Sequence, residues 1–255
     1  MKIASWNVNS LNVRMPHFKQ WLSDAAPDIV ALQETKMEDG KFPDTELAAL
    51  GYRSVFSGQK TYNGVAIVAR EMPRDIITDI PDLADPQRRI LAATVGELRI
   101  VNLYVVNGQA VGTDKYRYKL DWLARVTTFL AEEIRRHSQL IVLGDFNIAP
   151  TDLDVHDPVA WHEAILCSTP ERDALRRILD LGLFDSFRAI DTKAGQYSWW
   201  DYRQAGFRRN LGLRIDLVLA AEGLRARLLG ASIDTAPRRW ERPSDHAPVL
   251  MELKP

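Results

Sequence analysis

The chain has 255 residues, of which 46 % are hydrophobic and 26 % charged, a balance that fits a globular protein and excludes disorder. Thirty-three basic and 34 acidic side chains leave a formal charge of −1, so no global field points to an anionic partner. Cys167 is the single cysteine, which excludes an internal disulfide, a thiolate zinc cage and an iron–sulfur cluster.

Lys2 to Trp6 alternates apolar and polar residues and reads as a strand. No basic segment followed by an apolar stretch precedes it, so the expected location is the cytoplasm. No apolar run approaches the ~18 residues of a membrane span. A weak helical pattern covers roughly 16–25, and Ile29 to Leu32 reads as a buried strand. Asn63-Gly64 signals a turn before the strand-like Val65 to Val68. After a loop-rich stretch at 79–89, a strand is predicted from Arg99 to Val106. The clearest helix runs from about Asp114 to His137, with Tyr116, Leu120, Leu123, Leu130 and Ile134, and smaller apolar residues between, at three- and four-residue steps. Leu140 to Leu143 is the next strand, followed by a loop at 149–158 and a weaker helix at 171–181. Ile215 to Leu219 and Pro248 to Leu253 complete the strands. No long period repeats and no Ser/Gly-rich linker divides the chain. The expectation is one α/β domain over residues 1–255, with layered sheets and helices outside.

The chemistry lies where the strands end. The first runs into Asn7, with Asn9 two residues on; the second runs into Gln33-Glu34; the strand from Leu140 runs into Gly144-Asp145-Phe146-Asn147. If these strands are roughly parallel, their polar ends share one edge. Asp216 and Ser244-Asp245-His246 open two later strands, which reach the same edge if antiparallel. Four carboxylates, two or three carboxamides and an imidazole would then meet there. Such a cluster repels itself unless a cation neutralises it. Oxygen ligands without thiolate favour Mg²⁺ or Mn²⁺, which bind through one or two carboxylates and substrate phosphate. A histidine beside a carboxylate stabilises charge growing on phosphate oxygens, and a further acid can take a proton from water. Taken singly, each residue has an ordinary alternative as a turn, cap or loop residue. No Gly-rich phosphate loop, Gly-x-Ser-x-Gly elbow or paired-His zinc motif is present.

Trp6-Asn7-Val8-Asn9, Leu32-Gln33-Glu34-Thr35-Lys36, Tyr104-Val105-Val106-Asn107-Gly108, Gly144 to Pro150, Arg214-Ile215-Asp216 and Ser244 to Pro248 occur in one order. That order resembles the exonuclease III family, which contains exodeoxyribonuclease III and the abasic-site endonucleases, within the endonuclease/exonuclease/phosphatase superfamily. The resemblance covers essentially the whole chain, including Tyr197-Ser198-Trp199-Trp200. It implies a four-layer α/β sandwich, two packed mixed sheets flanked by helices. It also implies a Mg²⁺-dependent DNA phosphodiesterase of base-excision repair, with Mn²⁺ as an alternative ion. The implied activities are 3′→5′ exonuclease action on duplex DNA, cleavage 5′ to an abasic site, and removal of 3′-phosphate or phosphoglycolate blocks.

By position, the resemblance makes Glu34 the principal metal ligand, with Asn9 where some relatives carry an assisting Asp. Asn7 and Asn147 orient water, phosphate or metal, and Asp145 positions or deprotonates the attacking water. His246 meets the phosphate at the metal site, Asp216 fixes its tautomer, and Asp245 lies near the metal through water. Tyr104 contacts the scissile phosphate, while Asn107 and Asn210 contact the DNA backbone. Three departures bear on substrate preference: Val106 replaces a common proline, Leu213 a pocket tryptophan, and Asn9 that Asp.

Between Arg203 and Arg242 stand nine arginines and four acids, a local net charge of +5. Arginine suits phosphate because its planar fork donates two parallel hydrogen bonds. Arg203, Arg208 and Arg209 are the expected DNA contacts, with Lys115, Arg117 and Lys119 as a second bank, whereas Arg225 and Arg227 read as ordinary surface. Trp199 either packs on one face with Tyr197 or lines a pocket for an extrahelical sugar or terminal nucleotide. A monomer acting on duplex DNA with abasic sites or blocked 3′ ends is the expected assembly. Two other readings are a phosphodiesterase for a small or lipid phosphate, and a DNA-binding protein without turnover.

Overall fold

The computed structural model describes residues 1–81, 83 and 85–254. Residues 82 and 84, within the loop-rich stretch noted above, lie outside the described residues.

Two six-stranded mixed sheets form the centre. The first contains β1 (Lys2–Asn7), β2 (Ile29–Gln33), β3 (Arg53–Ser57), β4 (Val65–Ala69), β13 (Leu228–Ile233) and β14 (Val249–Leu253), in the order β13-β14-β1-β2-β4-β3. The second contains β5 (Arg74–Ile77), β6 (Ile90–Val95), β7 (Leu98–Tyr104), β8 (Leu140–Asp145), β9 (Leu183–Asp185) and β12 (Asp216–Ala221), in the order β5-β6-β7-β8-β12-β9. Among the described residues only β1–β2 and β7–β8 pair in parallel. A ribbon of β10 (Trp199–Trp200) and β11 (Gly212–Leu213) stands apart from both sheets.

Period-2 patterning sorts side chains between the layers. In β1, Ile3 joins the core between the sheets with Ile29, Ile67, Ile100, Ile141 and Val218. Its neighbours Ala4 and Trp6 face the other way and pack under α1 (Leu11–Ala25) with Phe18, Trp21 and Leu22. On the outer face of the second sheet, Val101, Leu103 and Val142 lie under α3 (Asp114–Arg136) and α4 (Thr169–Leu179), which contribute Trp122, Val126, Leu130, Leu175 and Ile178. Helix, sheet, sheet, helix is the four-layer order expected. α2 (Asp44–Ala49) adds Leu47 to the first outer layer, and α5 (Ser186–Ile190) lies beside β12 and β13.

Local signals explain the helix bounds. Thr113 accepts a hydrogen bond from the Tyr116 N–H and caps α3, and Arg135 and Arg136 face the negative end of its dipole. Ser168 and Glu171 form a reciprocal capping box on α4. α1 begins at Leu11, five residues before the predicted start, and carries Pro16 inside it. The reason is tertiary: Ser10 and Leu11 donate backbone bonds to Glu34 and Thr35, so the end of β2 sets where the helix starts.

Two of the nine arginines of the 203–242 segment, Arg214 and Arg238, are buried. Arg214 is 1 % exposed; its Nε meets Asp154 Oδ1 at 2.6 Å and its Nη2 meets Asp185 Oδ2 at 2.7 Å. Burial pushes the Asp154 carboxyl up, but Arg214 and Arg188 outweigh it and hold it below the ordinary range. This network ties residues 152–154 and β9 to the strand entry that carries Asp216. Arg214→Met is expected to lower unfolding free energy by about 3 kcal/mol, because a buried charge loses a partner. Urea unfolding at neutral pH measures this. Asp154 titrates below its unfolded value, so its stabilisation is present above that value and disappears as pH falls through the folded one. The variant's deficit therefore shrinks in acid.

Candidate active site

The strands end as the sequence predicts. β8 and β12 run antiparallel with Asp145 opposite Asp216, and β14 runs antiparallel to β1 with Val249 opposite Ser5. This register carries Asp216 and the 244–246 segment to the edge where β1, β2 and β8 finish. Trp6 Nε1 donates to the His246 carbonyl at 3.2 Å, and Ser244 Oγ donates to the Asn7 carbonyl at 2.7 Å. Gly144, at φ +147°, precedes Asp145; a Cβ there would lie 1.9 Å from the Leu103 carbonyl oxygen. Only glycine lets β7 and β8 close this tightly beside the acid. Glu34 (φ 53°), Asn147 (φ 49°) and Asn9 (φ 44°) all adopt the left-handed conformation. Backbone strain of this kind concentrates at functional sites.

Asn7 links the two sheets through their acids. Its Nδ2 donates to Glu34 Oε1 at 3.0 Å and to Asp145 Oδ2 at 2.9 Å. Tyr104 donates its phenol to Glu34 Oε1 at 2.9 Å, and Asn147 places its N–H on Asp145 Oδ1 at 2.9 Å. His246 lies with Nδ1 2.9 Å from Asp216 Oδ2, which also accepts from Ser198 Oγ at 2.6 Å. With Nδ1–H on Asp216, the other ring nitrogen faces Asp145 Oδ2 at 3.8 Å and has no hydrogen-bond partner among the described residues. Beside this centre, Asp245 accepts from Asn9 Nδ2 at 2.9 Å and from Trp199 Nε1 at 3.0 Å.

Burial dominates the Asp145 carboxyl and, with the charges of Asp216 and Glu34, raises it well above the ordinary range against the lowering pull of His246 and Asn7. Burial works the other way on His246, yet Asp216 and Asp145 outweigh it and keep the imidazolium favoured into alkaline pH. For Glu34, burial is outweighed by Lys36, whose Nζ lies 2.8 Å from Oε2, so the carboxyl is held low. Burial and the two neighbouring carboxylates raise the Tyr104 phenol, which stays protonated as a donor.

Glu34, Asp145 and His246 present ligand atoms within 4.8 Å of one another. The donor set fits a hard cation: two carboxylates on a shared carboxamide, no thiolate, and a lysine ammonium already drawn onto Glu34. A divalent ion here would be held by Glu34, with Asp145 and Asn7 beside it.

The other candidates divide. Asn107 donates to Asn147 Oδ1 at 3.1 Å, and Lys115 and Val106 line a cavity of about 440 Å³ with Asn107 and Arg89. Trp199 and Arg203 line a second cavity of about 420 Å³ with His156 and Trp161. Trp199 packs on Val155 and Leu213, whereas Tyr197 packs with Trp200, so the two do not share a face as expected. Leu213 is fully buried beneath Trp199. Arg203, Arg208, Arg209 and Asn210 are exposed, but Arg203 is paired with Asp201 and the Asn210 carboxamide with Trp200 Nε1. Three basic residues counted towards the expected DNA-facing charge need correction. Arg214 and Arg238 are buried, and Lys119 is fully buried on Glu171, because each finds internal acceptors that a linear charge count does not see.

Ser198, Ser244, Arg14 and Arg89 also shape the site, without having stood out in the sequence. Arg14 bridges Asn9, Tyr202 and Pro243, and Arg89 stacks 4.6 Å over the Tyr104 ring. The two serines sit inside the quoted motifs, so their signal was present; the arginines carried none.

Residues 4–246 match the family model described as "Endonuclease/Exonuclease/phosphatase family". The chain belongs to this family. It is 35 % identical to exodeoxyribonuclease III of Haemophilus influenzae, with all of both chains covered. Among solved structures it superposes with a TM-score of 0.98 on the 3′ phosphatase NExo from Neisseria bound to product DNA hairpin, at 50 % identity over 100 % of this chain and 99 % of that one. An AP endonuclease from Archaeoglobus fulgidus gives 0.96 at 36 % identity, with both chains fully covered.

Proposed function

We propose that this chain is a Mg²⁺-dependent phosphodiesterase of base-excision repair. It processes blocked 3′ ends, shortens duplex DNA 3′→5′ and cuts 5′ to abasic sites. The observation that carries the reading is Asp145, a buried carboxylate with a raised proton affinity, held by Asn7 and Asn147 beside an imidazole that Asp216 orients. In hydrolysis, a water oxygen bonds to phosphorus as the bond to the leaving oxygen breaks, and the water proton passes to Asp145. Nε2–H of His246 and the Tyr104 phenol donate to phosphate oxygens as their charge grows. A divalent ion on Glu34, Mg²⁺ or Mn²⁺, supplies the positive charge that steadies those oxygens. The likeness at 50 % identity to a 3′ phosphatase supports 3′-end work, and that at 36 % to an AP endonuclease supports abasic-site cleavage. Lys115, Asn107, Trp199, Arg203, Arg208, Arg209 and Asn210 serve as DNA contacts. The chain acts as one catalytic domain and a monomer in the cytoplasm; among the described residues no helix is long and apolar enough to cross a membrane.

The test uses two end-labelled duplexes, one with an abasic-site analogue and one ending in a 3′-phosphate, each with and without Mg²⁺. A Mg²⁺-dependent nick at the analogue establishes the endonuclease. Loss of phosphate or stepwise shortening without that nick establishes an enzyme of 3′ ends, and no product from either duplex overturns the reading. Glu34→Gln is expected to raise the Mg²⁺ concentration for half-maximal rate by about 10–100-fold, read from a metal titration of the same cleavage.

A further inference from the structure

Outside the catalytic cluster, the Lys119 ammonium is fully removed from water. The residue is fully buried on α3 and pairs with Glu171, also fully buried, at the start of α4. Two backbone acceptors complete its surroundings: Nζ donates to the Asn147 carbonyl at 2.7 Å and to the Asn107 carbonyl at 3.2 Å. An ammonium has three protons, and the three acceptors use them all. Nothing in the fold of either helix requires this lysine, since Thr113 caps α3 and Ser168 with Glu171 caps α4. A buried ion pair is also weak evidence for stability, because desolvation offsets its attraction.

The two carbonyls belong to the residues that frame the reacting centre. Asn107 and Asn147 stand on separate loops, after β7 and after β8, and their carboxamides bond to each other. Asn147 also donates its N–H to Asp145 Oδ1 and its Nδ2 to Asp145 Oδ2, at 2.9 and 3.3 Å. Its backbone is left-handed, a conformation that needs outside support. The β7 loop closes directly on the lysine stem: a Cβ on Gly108 would lie 3.1 Å from Lys119 Cδ.

We propose that Lys119 is a positioning residue for phosphodiester hydrolysis: its buried ammonium fixes the Asn107 and Asn147 loops relative to each other and so sets where Asp145 stands against the substrate phosphate. Glu171 neutralises the ammonium and takes its third proton, and α3 and α4 anchor the pair. The proposal rests on the hydrolase reading above.

The decisive variant replaces the pair with neutral residues of similar length, Lys119→Met with Glu171→Gln, because glutamine keeps an acceptor for the Ser168 cap. Hydrolysis of the 3′-phosphate duplex would be followed at saturating Mg²⁺. The expected result is a folded protein with Tm within a few degrees of wild type. Its kcat falls about 10–100-fold, the cost of misplacing reacting groups by about an ångström, while KM changes less than about threefold. Asn147→Ala should then cost much less in this background than alone, because the loop it steadies is already loose. A kcat within twofold of wild type, or full additivity with Asn147→Ala, overturns the proposal. Should the double variant fail to fold, the single variants decide. Glu171→Gln removes the charge that holds the third proton on buried Lys119, yet even the neutral amine keeps two N–H groups for the two carbonyls and kcat stays within about threefold, whereas Lys119→Met loses both bonds and does not. Equal losses in the two overturn it. If wild-type protein turns over no DNA substrate, the hydrolase reading has failed instead, and the two failures are told apart by that control.

Discussion

Asp145→Asn is expected to lower kcat on any productive DNA substrate by about 10²–10⁴-fold, the range for loss of a positioned proton acceptor. The carboxamide preserves the shape of the site, but its single oxygen accepts from either Asn7 or the Asn147 N–H, since these reach different oxygens of Asp145; binding of DNA should persist, and gel shift of the same duplex checks this. The wild-type rate should rise with pH as the Asp145 carboxyl, lifted by burial and its acidic neighbours, loses its proton. Added Mg²⁺ should move that limb to lower pH, since a nearby cation favours the carboxylate, and in the variant the limb disappears. Stability is expected to run the opposite way. A carboxyl whose folded pKa lies above its unfolded one binds more protons in the native state, so metal-free wild type loses stability as pH rises from the unfolded value through the folded one. Removing the charge relieves that penalty. Metal-free Asp145→Asn should therefore melt a few degrees higher than wild type at neutral pH, with the gain vanishing in acid. Equal melting at both pH values would show that the site bears no such cost.

The strands and their polar ends were legible because two independent signals agree on them. Runs such as Ile29–Leu32 and Leu140–Leu143 are short and apolar, and each stops at an acid or amide that a core cannot absorb. The antiparallel return of β12 and β14 then follows from Asp216 and Asp245 standing at strand starts. β3, β5 and β13 escaped notice because they are edge strands whose exposed residues interrupt the pattern, β9 because it is only three residues long, and β6 went unread although its Ile90–Val95 run is largely apolar and buried. The start of α1 was hidden by Pro16, a local breaker overridden by backbone bonds from Ser10 and Leu11 to the end of β2. Charge was least legible. Arg214, Arg238 and Lys119 look like surface cations in one dimension, and only the folded chain brings Asp154, Asp185, Ser244 and Glu171 to them. The +5 of the 203–242 segment consequently overstates what meets DNA.

Asp216→Asn is expected to reduce kcat by about 10²–10³-fold, as loss of an oriented donor to developing charge does elsewhere. Asp216 is buried; its Oδ2 lies 2.9 Å from His246 Nδ1 and receives the Ser198 hydroxyl. Its effect is therefore carried by the imidazole. Burial alone would depress the His246 pKa, and the Asp216 charge is the largest influence that reverses this. With the charge gone, the imidazolium gives up its proton at lower pH and Nε2 ceases to donate. The alkaline limb of the rate profile should accordingly move to lower pH, and the acid limb set by Asp145 also moves lower, since Asp216 is one of the charges that raise it. The same shift enters stability: a histidine raised above its unfolded pKa contributes stabilisation that is complete below that value and lost as pH rises through the folded one. The variant should lose most of its stability difference from wild type above that upper limit. His246→Gln should cost as much as His246→Gln with Asp216→Asn, because two groups acting as one unit are not additive. Additive losses would mean that Asp216 acts on the substrate by a route other than the histidine.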